Sequence, residues 1–286
     1  MAPVVVVTDT CHYLPRQLVA ARGIHEVSLY VHWDGREDRE SDLPDFGAYY
    51  AHLGTADDLP TTSQPSIGDF LAVYEPLLAD GRDVVSIHLS GALSGTVASA
   101  EQAKAQLAAA AGERVHIFDS TSACGGEGLV VLAAHAAAAR GASAGEVIGH
   151  AREARTALTM WFAVDTLEYL RRGGRIGAAQ AWLGSALRIK PILTLEAEIT
   201  PVERVRTSGR AFERMVHYLE QRRDDGADAW VVQHIQAHDA AAQLVERGRE
   251  IFGTDPTFVS EIGPVIGTHV GPGLLGVGGI PSRFLA

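Results

Sequence analysis

The chain has 286 residues, 47% of them apolar and 21% charged, enough for one large domain or two of roughly 100–150 residues each. Its 24 basic and 35 acidic residues give a net charge of −11. That balance excludes a mainly electrostatic grip on nucleic acid or anionic lipid headgroups, because an acidic surface repels both. A small anionic ligand stays open, provided it finds local donors.

Two cysteines, Cys11 and Cys124, cannot form a disulfide framework or a four-thiolate metal site, and a reducing cytoplasm suits them. The start, Met-Ala-Pro and then Val4 to Val7, has no basic leader and reads as a buried strand. The hydroxyl cluster Thr61-Thr62-Ser63-Gln64-Pro65-Ser66 precedes a helical pattern through Phe70, Leu71 and Tyr74. Ser66 can cap that helix, with Asp69 completing a loose capping box. Thr62 and Ser63 then exceed what capping needs.

The next strand, Val84 to Leu89, runs into Gly91-Ala-Leu-Ser94-Gly95 before a helix that begins near Gly95 or Thr96. This turn lacks the Gly-x-Ser-x-Gly spacing of a nucleophile elbow. Ser94 reads as an N-cap, with two roles open: structural capping worth about 1 kcal/mol, or an anion site at the positive end of the helix. Both hydroxyl clusters can meet at the carboxyl ends of strands, where α/β sheets bind ligands. Residues 97–111 read as a helix, Val115 to Phe118 as a strand, and 127–140 as a helix with Leu129, Leu132, Ala133 and Ala136 at helical spacing. Continuous apolar strands imply burial on both faces, hence a mostly parallel α/β sheet with helical crossovers.

A second unit begins near residue 160, after a helix over 143–158. Its strands are Trp161 to Val164, Ile189 to Glu196 and Ala229 to Ile235; its helices are 209–223 and 238–252. The expected division is 1–158 and 159–286, with the last residues free to return to the first domain. The uncharged stretch between Glu261 and Arg283 holds seven glycines and three prolines, which would break a membrane helix, so a soluble protein is expected.

Two motifs carry no function in the sequence alone. Gly271-Pro-Gly-Leu-Leu-Gly276 matches a dinucleotide fingerprint, but Pro272 sits inside it and no βαβ unit can follow. His234 and His238 have zinc-like spacing, yet Ile235 replaces the expected Glu and the pair straddles a strand end, so no metal site is expected. No Walker loop occurs.

Several ordered segments together resemble the DegV family. They are Thr8-Asp9-Thr10 with Leu14-Pro15, TTSQPSIGDFLAVYEPLL from Thr61, SIHLSGALSGTVASA from Ser86, FDSTSACGGEG from Phe118, VDTLEYLRRGGRIG from Val164, IKPILTL from Ile189, VRTSGRA from Val205 and EIGPVIGTHVGPGLLGVG from Glu261. The resemblance spans nearly the whole chain. It implies two α/β domains, the sheet mostly parallel in the first and mixed in the second, with a long-chain fatty acid in a buried tunnel. By position it assigns the carboxylate to Thr62, Ser63, Ser94 and His269, with Gly95 at the helix start. Members of the FakB type present the acid to a separate ATP-dependent fatty acid kinase subunit that forms the acyl phosphate, so no catalytic residue, cofactor or metal is implied here. Arg175 and Arg206 become candidates for kinase docking, and transient membrane contact for lipid exchange is a further expectation.

This sequence departs from the family pattern at Ser28, at His32-Trp33, in the acidic loop from Arg36 to Asp45, and at Cys124. An inert buried thiol is the expectation for Cys124. The competing reading is an enzyme: a hydrolase using Ser94 with His269 and Asp9, or a transferase subunit similar to that of dihydroxyacetone kinase. A general base within reach of Ser94 would favour hydrolysis.

Overall fold

The computed structural model describes residues 2–56, 59–183 and 189–286. In the first half, β1 (Val4–Asp9), α1 (Arg16–Arg22), β2 (His25–Val27), β3 (Tyr30–Trp33), β4 (Arg36–Arg39), α2 (Gly47–Leu53), β5 (Thr61–Ser63) and α3 (Ile67–Ala79) lead into β6 (Asp83–His88). Then come α4 (Thr96–Gln106), α5 (Ala109–Gly112), β7 (Val115–Asp119), α6 (Cys124–Ala139) and α7 (Ala144–Ala157). The second half comprises β8 (Thr159–Ala163), α8 (Glu168–Arg172), β9 (Lys190–Glu196), β10 (Glu198–Val205), α9 (Ser208–Asp224), β11 (Ala229–His234), α10 (His238–Phe252), β12 (Phe258–Glu261), α11 (Pro264–Val270) and β13 (Leu275–Ile280).

One sheet has the order β2-β1-β6-β7 and is parallel throughout. The valine run of β1 explains its place there: β-branched residues suit extended backbone, and alternation sends neighbours to opposite faces. Val7 joins Phe70, Tyr74 and Ala103 under α3 and α4, whereas Val6 joins Leu129, Val130 and Val147 under α6 and α7.

The second sheet has the order β10-β9-β8-β13-β11-β12 and is mixed, antiparallel except where β11 meets β12. Helices α9 and α10 cover one face through Met215, Leu219 and Leu244. Helix α6 touches both sheets, because Leu129 and Val130 share a core with Val231 and Ile280. Its glycines permit that approach: a β-carbon on Gly125 would meet Gln233 at 2.9 Å and Val231 at 3.1 Å.

Several sequence expectations change. The helix over 97–111 divides, because Leu107 and Ala108 are extended, which turns Leu107 onto the core around Phe70. Helix α6 begins at Cys124, three residues before the predicted start at 127. The stretch from Arg36 to Asp45 is not a plain loop: it forms β4 and a 3-10 turn over Glu40–Asp42. With β3 and β5 it builds a small antiparallel sheet, order β4-β3-β5. The uncharged stretch after Glu261 forms α11 and β13, and no described helix is long and apolar enough to cross a membrane.

Candidate functional site

A narrow cavity of about 110 Å³ lies between β5, the loop after β6, helices α8 and α11, and the inner face of the mixed sheet. Leu29, Leu89, Met160, Phe162, Leu195 and Ile262 are among its apolar walls, and Thr62, Ser63, Gln64, Ser94, Arg175 and His269 are among its polar lining. The polar end faces outward: Ser94 and Arg175 also line one surface cleft, and Thr62, Arg175 and His269 another.

Helix α11 carries His269 in its last turn. The helix starts at Pro264, whose fixed φ favours a first helical position. It is held along its length: Val265 N–H donates to Glu40 Oε1 (2.8 Å), the Tyr50 hydroxyl donates to Ile262 C=O (2.6 Å), and the hydroxyls of Tyr49 and Thr268 share a 2.5 Å hydrogen bond. His269 Nε2 thereby reaches Thr62 Oγ1 at 2.8 Å. Its Nδ1 is buried without a partner and packs on Gly173, where a β-carbon would collide with the ring.

Burial, then the nearby Arg175, pushes His269 down to about 4, so the imidazole is neutral at pH 7. When Nε2 carries the proton it donates to Thr62, leaving the Thr62 hydroxyl hydrogen free for an acceptor in the cavity. Ser63 differs: its Oγ lies 3.0 Å from His32 Nε2, but His32 Nδ1 lies 3.3 Å from Glu37, a carboxylate that only accepts. These contacts fix the hydroxyls of two neighbouring β5 residues, each on its own histidine.

Ser94 is not the N-cap of α4. Gly95 occupies that position and makes no side-chain cap, because the turn places the serine one residue early. The Ser94 hydroxyl instead accepts from Thr96 N–H (3.3 Å) and pairs with Thr96 Oγ1 (2.8 Å). Ser66 does cap α3, and Asp69 completes the capping box.

The structure therefore gathers Thr62, Ser63, Ser94, His269 and Arg175 around one cavity. Gly95 lies just outside, in the cleft that Ser94 shares with Arg175. Arg175 donates to Leu93 C=O (3.3 Å) and Gly173 C=O (2.6 Å). Arg206 is exposed between β10 and α9 and is absent from the lining. Cys124 borders the cavity, and burial holds its thiol well above the usual range. Sequence reasoning noted His32 and the loop that holds Glu40 only as departures from the family pattern, and passed over Gly173. Only the pairing of β3 with β5 puts His32 on the Ser63 face.

No triad joins Ser94, His269 and Asp9. Asp9 is fully buried and accepts from Leu89 N–H (3.0 Å) and Cys11 N–H (2.9 Å), with His88 Nδ1 at 3.1 Å. His269 is engaged with Thr62.

A family model described as "Uncharacterised protein, DegV family" matches residues 3–282. The chain belongs to the DegV family. It is 35% identical over 277 residues to protein DegV of Bacillus subtilis, covering 96% of this chain and 98% of that one. It is 38% identical over 282 residues to a DegV domain-containing protein of Streptomyces coelicolor, covering 96% and 97%. Among solved structures, a DegV family protein from Thermus thermophilus described as fatty acid binding aligns with a TM-score of 0.87 at 34% identity, over 98% of this chain and 99% of that one. Bacillus subtilis DegV, described as a fatty acid binding protein, aligns with a TM-score of 0.87 at 33% identity, over 97% and 99%. The parallel and mixed sheets expected of a DegV protein are both present.

Proposed function

We propose that this DegV family protein binds a long-chain fatty acid, its acyl chain in the cavity and its carboxylate at Thr62, Ser63, Ser94 and His269, near Gly95 at the start of α4. The observation that carries the reading is a mainly apolar cavity whose hydroxyls and neutral histidine gather at one outward-facing end. The fatty acid binding described for the Thermus thermophilus and Bacillus subtilis proteins supports it.

The energetics suit such a ligand once the walls part to seat it, since a void of about 110 Å³ is smaller than a long acyl chain. Each buried methylene contributes about 0.8 kcal/mol, so fourteen give an upper bound near 11 kcal/mol before ordering and association costs. Affinity comes from the tail. The head group sets orientation, since oriented hydroxyl donors are penalised when they face a group that accepts poorly. A local donor set, with the Arg175 guanidinium beside it, also explains how a chain of net charge −11 takes an anion: one carboxylate meets nearby donors and is not left to the global field.

In this reading the chain performs no chemistry itself. It presents the carboxylate to a separate ATP-dependent kinase subunit, and Arg175 and Arg206 steer that encounter, as rim charges do. Its free thiols, Cys11 and Cys124, suit the cytoplasm, where the acid exchanges by brief membrane contact. A hydrolase would need a base on Ser94, whose hydroxyl is paired with Thr96. Native mass spectrometry of the purified protein, followed by analysis of released lipid, tests the binding step. A bound fatty acid is expected; no bound lipid and no uptake of added fatty acid would refute the proposal.

A further inference from the structure

The His234-x-x-x-His238 pair lacks a third ligand in sequence, and the fold supplies one. Strands β11 and β12 are parallel with His234 opposite Glu261, so the carboxylate stands beside the end of β11. The chain then turns through Gln236, which has a positive φ of 51°. His238, the first residue of α10, returns over the strand end, and its ring centre lies 4.6 Å from that of His234. One ligand atom from each of the three residues lies within 4.8 Å of the other two.

Two further observations mark this cluster as more than proximity. His234 is 6% exposed, and its Nδ1 is buried without a hydrogen-bond partner, a costly state for a polar atom unless something fills the gap. Glu261 Oε1 accepts from the Gln236 side-chain amide (2.6 Å) and Gln236 N–H (3.3 Å). That is the outer-shell support that fixes a ligating carboxylate. The gap between His238 Nε2 and Glu261 Oε1 is 3.9 Å, against about 3.3 Å between ligands of a tetrahedral zinc ion. The widest of the three separations, up to 4.8 Å, must close by up to about 1.5 Å, and the His238 side chain, 65% exposed, is the one free to rotate.

We infer that His234, His238 and Glu261 form a binding site for a divalent ion of the zinc type, with water completing the coordination. Two imidazoles and one carboxylate suit zinc or cobalt; magnesium and calcium prefer oxygen ligands alone. The ion would clamp β11, α10 and β12 beside Ile262, which lines the cavity wall. The inference is independent of the fatty acid reading.

The test uses tag-free, chelator-treated protein titrated with zinc by calorimetry and with cobalt by visible absorption. One ion per chain is expected, with zinc raising the thermal midpoint. Glu261→Gln and His238→Ala should each weaken binding about tenfold or more, while His217→Ala, which removes an exposed histidine on α9, should bind like wild type. His238 is surface-exposed, so its variant folds, and circular dichroism verifies this. Failure of the wild-type protein to bind, or unchanged affinity in Glu261→Gln and His238→Ala, overturns the site.

Discussion

Glu40 offers a quantitative test of how the site is held. Its carboxyl is 2% exposed, and Oε1 accepts from the Tyr13 hydroxyl (2.9 Å) and from Val265 N–H in α11 (2.8 Å). Burial outweighs these donors and raises the group from 4.5 to about 7. The folded protein thus keeps a proton that the unfolded chain has released. The stabilisation from this group is fully present below pH 4.5 and is lost as pH rises through 7.

Two and a half pH units at 1.36 kcal/mol each amount to about 3.4 kcal/mol. Glu40→Gln keeps the Oε1 acceptor and removes the titration. Its amide takes the place of Oε2, which is buried without a partner, so it adds a pH-independent cost of about 1–3 kcal/mol. Glu127, raised well above its ordinary range by burial and by Asp9, titrates in both proteins and cancels. Urea unfolding of both proteins from pH 4.5 to 8 is the assay. Wild-type stability should fall by about 3 kcal/mol relative to the variant across that range. A constant difference at every pH would refute the assignment.

Three substitutions probe the cavity itself. Gly173→Ala forces a β-carbon into the His269 ring; fatty acid affinity should fall about tenfold with little change in thermal midpoint, because Gly173 already has helical backbone (φ −76°, ψ −8°). Ser94→Ala should weaken fatty acid retention in a competitive exchange assay more than it lowers unfolding stability, and equal retention would count against a head-group role. Gly276→Val adds bulk to the cavity lining, where a β-carbon has its nearest neighbours at 3.6 Å. Preference should shift to shorter acids, at about 0.8 kcal/mol per excluded methylene, as read by native mass spectrometry across chain lengths.

How much of this was legible from residue order depends on how far apart the partners lie. The Ser66 and Asp69 capping box spans three residues and is read correctly from spacing, as are helices α9 and α10, whose apolar stripes repeat at helical period. Thr62 and Ser63 stand out because they exceed the needs of capping, and Ser94 because it follows a strand and precedes a helix. The Ser94 cap was misplaced by one residue, since the choice between Ser94 and Gly95 rests on backbone angles that composition leaves free. His269 gains meaning from the family resemblance alone, and its neutral state follows from its burial and the proximity of Arg175.

The sequence by itself determined the α/β grammar, the acidic surface and the small-anion hypothesis, because periodicity, charge and short-range capping are properties of neighbouring residues. Tertiary structure decided what those residues face. The bond between His32 and Ser63 crosses 31 residues, that between Thr62 and His269 crosses 207, and that between Glu40 and Val265 crosses 225. Each depends on strand pairing or helix docking that brings distant backbone together. The same holds for the pair His234 and His238, which becomes a three-donor cluster only when β12 sets Glu261 beside it.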